Sequence, residues 1–269
     1  MHQSAQPIQH CWHHAVNSQS KLEHALSSVN EPTIKIQSIE ADIIFSHSKQ
    51  QSVMGHPPDT DGDLTLTSFL EQLQSSQFQY SSGKCTQRIV KLDFKCNTSF
   101  QSSIPCIQSY LQHLPTRFHH SVWINADILP GPGEDLDDAE FQLKLKPKFN
   151  AHEFLETVTN HLTGTTLSIG WTTSLTDKRA VYTNEMVNGM IQVLKPYSKL
   201  QVTFPVRATS FRNSWNALKL LYENDWTVTL WWSLDKLESE EMDWIYTTLE
   251  EGDELLKNRT YYDLIGFPV

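Results

Sequence analysis

Two short stretches of this chain carry residue types able to do chemistry at a spacing that brings them together: Glu40-Ala41-Asp42 and Asp93-Phe94-Lys95. In an extended strand, residues two apart face the same side, so Glu40 and Asp42 point together while Ile39, Ala41 and Ile43 point away. The same parity pairs Asp93 with Lys95 and sends Leu92 and Phe94 to the opposite face. Three carboxylates and an ammonium converging on one place are the makings of a divalent-metal centre for phosphate chemistry, because Mg2+ and Ca2+ are hard cations that take oxygen ligands.

The elements that must position them follow from the apolar runs. Strand-like runs recur at about 8 to 15, 34 to 45, 88 to 95, 121 to 128, 165 to 173, 199 to 208, 226 to 232 and 260 to 266, with helix-like segments between most of them. Leu22, Ala25 and Leu26 sit at helical spacing, as do Leu66, Phe69, Leu70 and Leu73. Asn150 three residues before Glu153 has the pattern of a capping box ahead of Phe154, Leu155 and Val158. Further helices are expected at about 183 to 194, 210 to 223 and 238 to 250, and Pro105 restricts any helix in 101 to 114 to begin near it. Eight strands alternating with helices predict an α/β fold, a single TIM-type (β/α)8 barrel over residues 1 to 269, lacking a final outer helix because the chain ends just after the last strand.

In such a barrel the C-terminal strand ends form the face where sites are built. His14 ends the first run, Glu40 and Asp42 lie near the end of the second, Asp93 and Lys95 on the third, and Asn125 and Asp127 on the fourth. Trp171, Arg207 and Trp231 follow on the fifth, sixth and seventh. His56, in Gly55-His56-Pro57-Pro58, belongs to the loop leaving the second strand and can reach the same opening. Two histidines flanking carboxylates could serve as acid and base, since imidazole titrates near neutrality.

Each residue also has a plainer use. Acid-x-acid pairs are common on exposed strand ends, Asp93 with Lys95 could be an internal ion pair, and most of the 12 histidines must be surface or packing residues, His13 among them. Asn125 and Asp127 could orient metal ligands or be satisfied interior polar groups. Trp171 and Trp231 could be core or rim aromatics.

Bulk properties narrow the classes. With 31 acidic against 21 basic residues, a net charge of -10 and no Lys/Arg run, the chain lacks the footprint of a nucleic-acid binder. No stretch approaches the roughly 18 apolar residues of a transmembrane segment, and the start lacks a signal peptide's charged and apolar regions, so a soluble, cytoplasmic chain is expected. Cys11, Cys85, Cys96 and Cys106 have no paired metal spacing, and reduced thiols are the default. The turn Pro130-Gly131-Pro132-Gly133 precedes an acidic stretch, Glu134 to Glu140, expected to be a solvated loop.

The order His14, Glu40-x-Asp42, His56, Asp93-x-Lys95 resembles the phospholipase-C-like phosphodiesterase superfamily, which includes glycerophosphodiester phosphodiesterases and the spider-venom sphingomyelinases D. Within it, the strings His14-Ala15-Val16-Asn17-Ser18, Gly55-His56-Pro57-Pro58, Lys91-Leu92-Asp93-Phe94-Lys95 and Trp123-Ile124-Asn125-Ala126-Asp127 look like the menorin family. Leu167 to Thr173, Val202 to Ala208 and Tyr261-Tyr262-Asp263-Leu264 extend the match over nearly the whole chain. The resemblance implies one Mg2+ or Ca2+ held by Glu40, Asp42 and Asp93, with His14 and His56 as the catalytic acid and base pair. It implies in-line attack on a small or lipid phosphodiester contacted by Lys95, with Asn125, Asp127, Trp171, Arg207 and Trp231 around the ligand. Two departures stand out: His14 is followed by Ala15-Val16 where glycerophosphodiester phosphodiesterases have Arg-Gly, so Arg207 or Asn17 would have to compensate, and His56 is followed by Pro57 where they often have Asp. Menorin relatives include secreted proteins implicated in neuronal patterning and others linked to photoreceptor maintenance, so the alternative expectation is a binding or adhesion-type protein with a protein partner.

Overall fold

The eight long apolar runs become eight parallel strands, most of them buried on both faces, the condition under which parallel pairing occurs. In the computed structural model, which describes residues 6–27, 36–74, 78–81, 84–132, 146–173 and 180–267, these are β1 His10–His13, β2 Ile36–Ser46, β6 Val90–Phe94, β7 Val122–Leu129, β8 Thr166–Trp171, β9 Gln201–Arg207, β10 Thr227–Trp232 and β11 Thr260–Leu264. Three shorter strands intervene, β3 Gln51–Met54, β4 Phe78–Ser81 and β5 Lys84–Gln87. The strand order is β1-β2-β6-β7-β8-β9-β10-β11, with β3 against β2 and β4 with β5 as a separate pair. Eight parallel strands with interleaved helices define a TIM-type α/β barrel.

The chain divides into two compact units, one of Gln9–Ala126 with Glu156–Leu167 and one of Gln6–Ile8, Asp127–Leu155 and Ser168–Val269. In the first unit, β1, β2, β6 and β7 pair in register, so that Asp42 lies opposite Asp93 and Asp93 opposite Asn125. One step earlier, Glu40 lies opposite Lys91. The alternate residues Ile39, Ala41, Ile43, Leu92 and Phe94 are fully buried beneath Phe100, Ile107 and Tyr110 of the helix Asn97–Gln112. Each such large side chain contributes roughly 1.5–3 kcal/mol by leaving water, which anchors the strand faces that carry the acids.

In the second unit, β9, β10 and β11 pair in parallel, placing Arg207 opposite Trp231 and Trp231 opposite Asp263. The helix Ala151–His161 is capped as expected, Glu153 N–H donating to Asn150 Oδ1 at 3.1 Å. No helix follows Leu264 among the described residues.

Several expectations are corrected. The helix expected to start near Pro105 begins at Asn97, capped by Cys96, and carries Pro105 inside it. Pro105 is exposed, so its ring and its missing N–H fall on the solvent side of the helix, while Ser99, Phe100, Ile107 and Leu111 bury the other face. β2 runs to Ser46, in line with the run at 34 to 45, and its last residues are paired by a strand not expected from the sequence, β3, which folds back antiparallel and pairs Ile43 with Met54 and Ser46 with Gln51. His56 therefore leaves β3 rather than β2. The acidic stretch 134–140 lies outside the described residues. Cys11, Cys96 and Cys106 are free thiols. No helix among the described residues is long and apolar enough to cross a membrane.

Candidate metal centre

Glu40, Asp42 and Asp93 are brought together as parity and register require, each offering an oxygen within 4.8 Å of the others. Glu40 and Asp42 are buried and Asp93 is half-buried. Their geometry is fixed by neighbours on three chain segments. Asp42 Oδ2 accepts a hydrogen bond from Asn17 Nδ2 at 2.7 Å, and Asp42 Oδ1 pairs with Lys95 Nζ at 2.7 Å. Asp93 Oδ2 accepts from the same Lys95 ammonium at 2.8 Å, and Asp93 Oδ1 accepts from Asn125 Nδ2 at 2.7 Å.

The turn after β1 holds Glu40. Ala15 adopts a left-handed conformation, φ 53°, which costs an L-residue roughly 1–2 kcal/mol. That conformation turns the Ala15 N–H onto Glu40 Oε2 at 2.7 Å, with Val16 N–H on the Glu40 carbonyl at 2.9 Å. A charge-assisted bond of this kind offsets the strain. His14 sits against the same carboxylate oxygen, Nδ1 to Oε2 3.5 Å. His13, one residue away, faces the other side and packs edge-on against His24, as strand parity requires.

His56 is exposed, and its place is set by Gly55 N–H donating to the Asp42 carbonyl at 3.0 Å. Its Nδ1 lies 2.7 Å from the Pro57 carbonyl, which can only accept. Nδ1 therefore carries the proton, and a neutral His56 presents Nε2 as the basic nitrogen. The charge of His56 acts on Asp42, so the imidazole is an electrostatic neighbour of the cluster.

Negative charge is in excess at this place. Burial, and then the charge of Asp42, push the Glu40 carboxyl up to about 7, against the pull of His14 and Lys91. Burial would raise Asp42 too, but the Lys95 ammonium and the bonds from Lys95 and Asn17 hold it below the ordinary carboxylate value. Lys95 shows the converse: burial works against its charge, and Asp93, Asp42 and Glu40 outweigh it and hold it protonated. The donor set consists of hard oxygens alone, grouped closely and short of positive charge, which fits Mg2+ or Ca2+ and not a soft metal.

The other residues singled out from sequence lie in the second unit. Arg207 is fully buried, with Nε and Nη2 donating to Ser210 Oγ at 3.1 and 2.8 Å. Its backbone N–H donates to Tyr182 Oη at 3.2 Å. Burial pushes the Tyr182 phenol up to about 12, with Arg207 opposing and Asp127 adding to the rise. Trp171 is buried edge-on against Tyr182, its Nε1–H without a hydrogen-bond partner. Asp127 and Trp231 are half-buried. A Cβ at Gly170 would come within 3.0 Å of Asp127 Oδ1 and 3.1 Å of the Pro205 ring, so the aspartate needs glycine beside it.

Two contributors were not singled out as part of the centre from sequence. Lys91 is buried, lies opposite Glu40 in the strand pairing and acts on its charge. The parity that joined Asp93 to Lys95 reaches Lys91 as well. Asn17 came forward only as a stand-in for a phosphate-binding guanidinium, whereas its amide is engaged with Asp42 on both sides, Asn17 Oδ1 also accepting from Asp42 N–H at 2.8 Å.

An α/β barrel whose strands carry a close carboxylate triad with a lysine and a histidine in contact defines a class of barrel proteins with a candidate cation site. Residues 8–267 match the profile described as the Menorin N-terminal domain, and the chain belongs to that family. It is 30% identical over 261 residues to the human "Protein FAM151B", covering 94% of this chain and 82% of that protein. Among solved structures it is similar to a glycerophosphoryl diester phosphodiesterase from Parabacteroides distasonis, with 14% identity, a TM-score of 0.49 and coverage of 97% and 84% of the two chains. It is also similar to a glycerophosphodiester phosphodiesterase from Thermotoga maritima, with 12% identity, a TM-score of 0.44 and coverage of 95% and 94%.

Proposed function

We propose that this protein is a divalent-cation-dependent phosphodiesterase acting on a small or lipid phosphodiester. One observation carries the proposal: three carboxylates from adjacent strands offer oxygens within 4.8 Å of one another, with His14 and Lys95 in direct contact with members of the triad. Glu40, Asp42 and Asp93 would hold one Mg2+ or Ca2+, which when bound supplies positive charge against the phosphoryl oxygens.

The side chains divide the remaining work. His56 Nε2 takes the proton from the attacking hydroxyl, whether water or a hydroxyl of the substrate itself, since its Nδ1–H is committed to the Pro57 carbonyl. His14, set against Glu40, returns a proton to the departing oxygen. Lys95 carries positive charge at the mouth of the triad, where it neutralises a phosphoryl oxygen as the bond to the leaving oxygen breaks. Turnover of a panel of lysophospholipids, glycerophosphodiesters and cyclic phosphodiesters with Mg2+ or Ca2+, lost in Glu40→Gln, supports the proposal. A panel untouched by the folded protein, or hydrolysed equally by Glu40→Gln, overturns it.

A second function, a binding protein that keeps the barrel as scaffold, is favoured by one observation: Lys95 already pairs with both Asp42 and Asp93. It predicts that His14→Ala with His56→Ala leaves biological activity intact. A null phenotype from that folded double variant contradicts it.

A further inference from the structure

Asp42 and Asp93 are held in matching ways by two asparagines. In Asp42, Oδ2 takes the amide hydrogen of Asn17 at 2.7 Å and Oδ1 faces Lys95 Nζ at 2.7 Å. In Asp93, Oδ1 takes the amide hydrogen of Asn125 at 2.7 Å and Oδ2 faces Lys95 Nζ at 2.8 Å. Each carboxylate is thus divided, one oxygen on a neutral amide and the other on a shared cationic point. The Asn17 amide has its orientation fixed, because its Oδ1 accepts from the Asp42 backbone N–H, which can only donate. Turning it over would break both bonds at once.

This division matters to a cation. Mg2+ demands near-octahedral coordination and is served by carboxylates giving one oxygen each, whereas Ca2+ takes about six to eight oxygens and readily uses both oxygens of one carboxylate. An asparagine that occupies the second oxygen removes the two-oxygen option without removing the charge. We propose that Asn17 and Asn125 are positioning residues that restrict Asp42 and Asp93 to one coordinating oxygen each and so tune the centre toward Mg2+ over Ca2+. The inference rests on the metal-centre function proposed above. It adds a role for the turn after β1: the left-handed Ala15 that directs one N–H to Glu40 also delivers Asn17 to Asp42, so one turn sets two of the three ligands.

Titration calorimetry of Mg2+ and of Ca2+ into the intact protein, Asn17→Ala and Asn125→Ala, with thermal melts to establish folding, tests it. The wild type is expected to prefer Mg2+. Removing a group that orients a metal ligand typically lowers affinity about 10- to 100-fold; here that loss falls on Mg2+, while Ca2+ gains the freed oxygen and loses less. The Mg2+/Ca2+ affinity ratio is expected to fall at least about 3-fold in each variant. A purely structural role lowers both affinities alike and leaves the ratio unchanged, and that result overturns the inference while leaving the metal centre standing. A wild-type preference for Ca2+ overturns it in the same way. Binding of neither cation by the wild type overturns the metal centre and the inference together. Should Asn17→Ala fail to fold, Asn125→Ala carries the same test at Asp93.

Discussion

The polar cluster of the first unit and that of the second bury ionic groups of opposite sign and satisfy them differently. Around Glu40, Asp42 and Asp93, carboxylates outnumber the cations they touch, and each is fixed by a donor from another chain segment. Around Arg207, a buried guanidinium donates twice to the Ser210 hydroxyl, with Tyr182 on its backbone N–H and Asp127 acting on the same phenol. A surplus of fixed anions costs folding free energy unless a cation relieves it, so it points to a ligand. A buried guanidinium whose Nε and Nη2 both donate to Ser210 Oγ is a group that the fold itself satisfies. The contrast is what distinguishes a candidate metal centre from buried polar structure in the same chain.

The largest effect that can break this contrast is expected at Asp42. Asp42→Asn removes a ligand charge but keeps the shape, and phosphodiester turnover measured at a Mg2+ concentration that saturates the wild type is expected to fall by about 10³-fold, roughly 4 kcal/mol of barrier. Retention of most of the rate would make the triad ornamental to catalysis.

At the other end of β1 lies a group whose effect is on stability alone. Burial lowers His10 from 6.5 to about 4, with its Nδ1 bonded to Ser38 Oγ at 2.7 Å. The folded state resists a proton that the unfolded state accepts, so stability is full above about pH 6.5 and falls as pH drops toward 4. The loss is on the order of 3 kcal/mol. Urea denaturation at several pH values is expected to show that slope in the wild type and a shallower one in His10→Gln; equal slopes would remove His10 as the cause.

In the second unit, Ser210→Ala takes away the oxygen that accepts from both Arg207 Nε and Nη2. Loss of that acceptor should lower stability by about 2 kcal/mol, read as a lower denaturation midpoint, with Mg2+ affinity unchanged. A drop in Mg2+ affinity without a drop in stability would reverse the roles of the two clusters.

The smallest effect is expected at Ala15. Glycine there relieves the left-handed strain, about 1–2 kcal/mol, but adds freedom to the unfolded chain, about 0.4–1 kcal/mol, and the two terms largely offset each other. Ala15→Gly should melt within a few degrees of the wild type and keep its Mg2+ affinity. A branched residue, as in Ala15→Val, should lower both.

The eight strands and the carboxylate triad were legible because both rest on simple repeats. Alternation put Glu40 with Asp42 and Asp93 with Lys95, and parallel pairing then left little choice of register. β3 was missed because Gln51-Ser52-Val53-Met54 is short and half polar, and it forms only by folding back on an extended β2. The start of the helix at Asn97 was missed because Pro105 weighs against a helix locally, whereas the apolar face beneath β2 and β6 decides it. Asn17 was illegible in its actual role, since its bonds to a residue 25 positions away depend on a left-handed alanine that no spacing announces. Lys91 was legible and overlooked, two residues before Asp93 on the same face.

Calorimetric titration of Mg2+ into the wild-type protein beside Asp42→Asn tests the metal centre most directly. Saturable one-site binding by the wild type, abolished in the folded Asp42→Asn variant, is the expected result. No binding by the wild type at millimolar Mg2+ or Ca2+, or binding undiminished in Asp42→Asn, would contradict it.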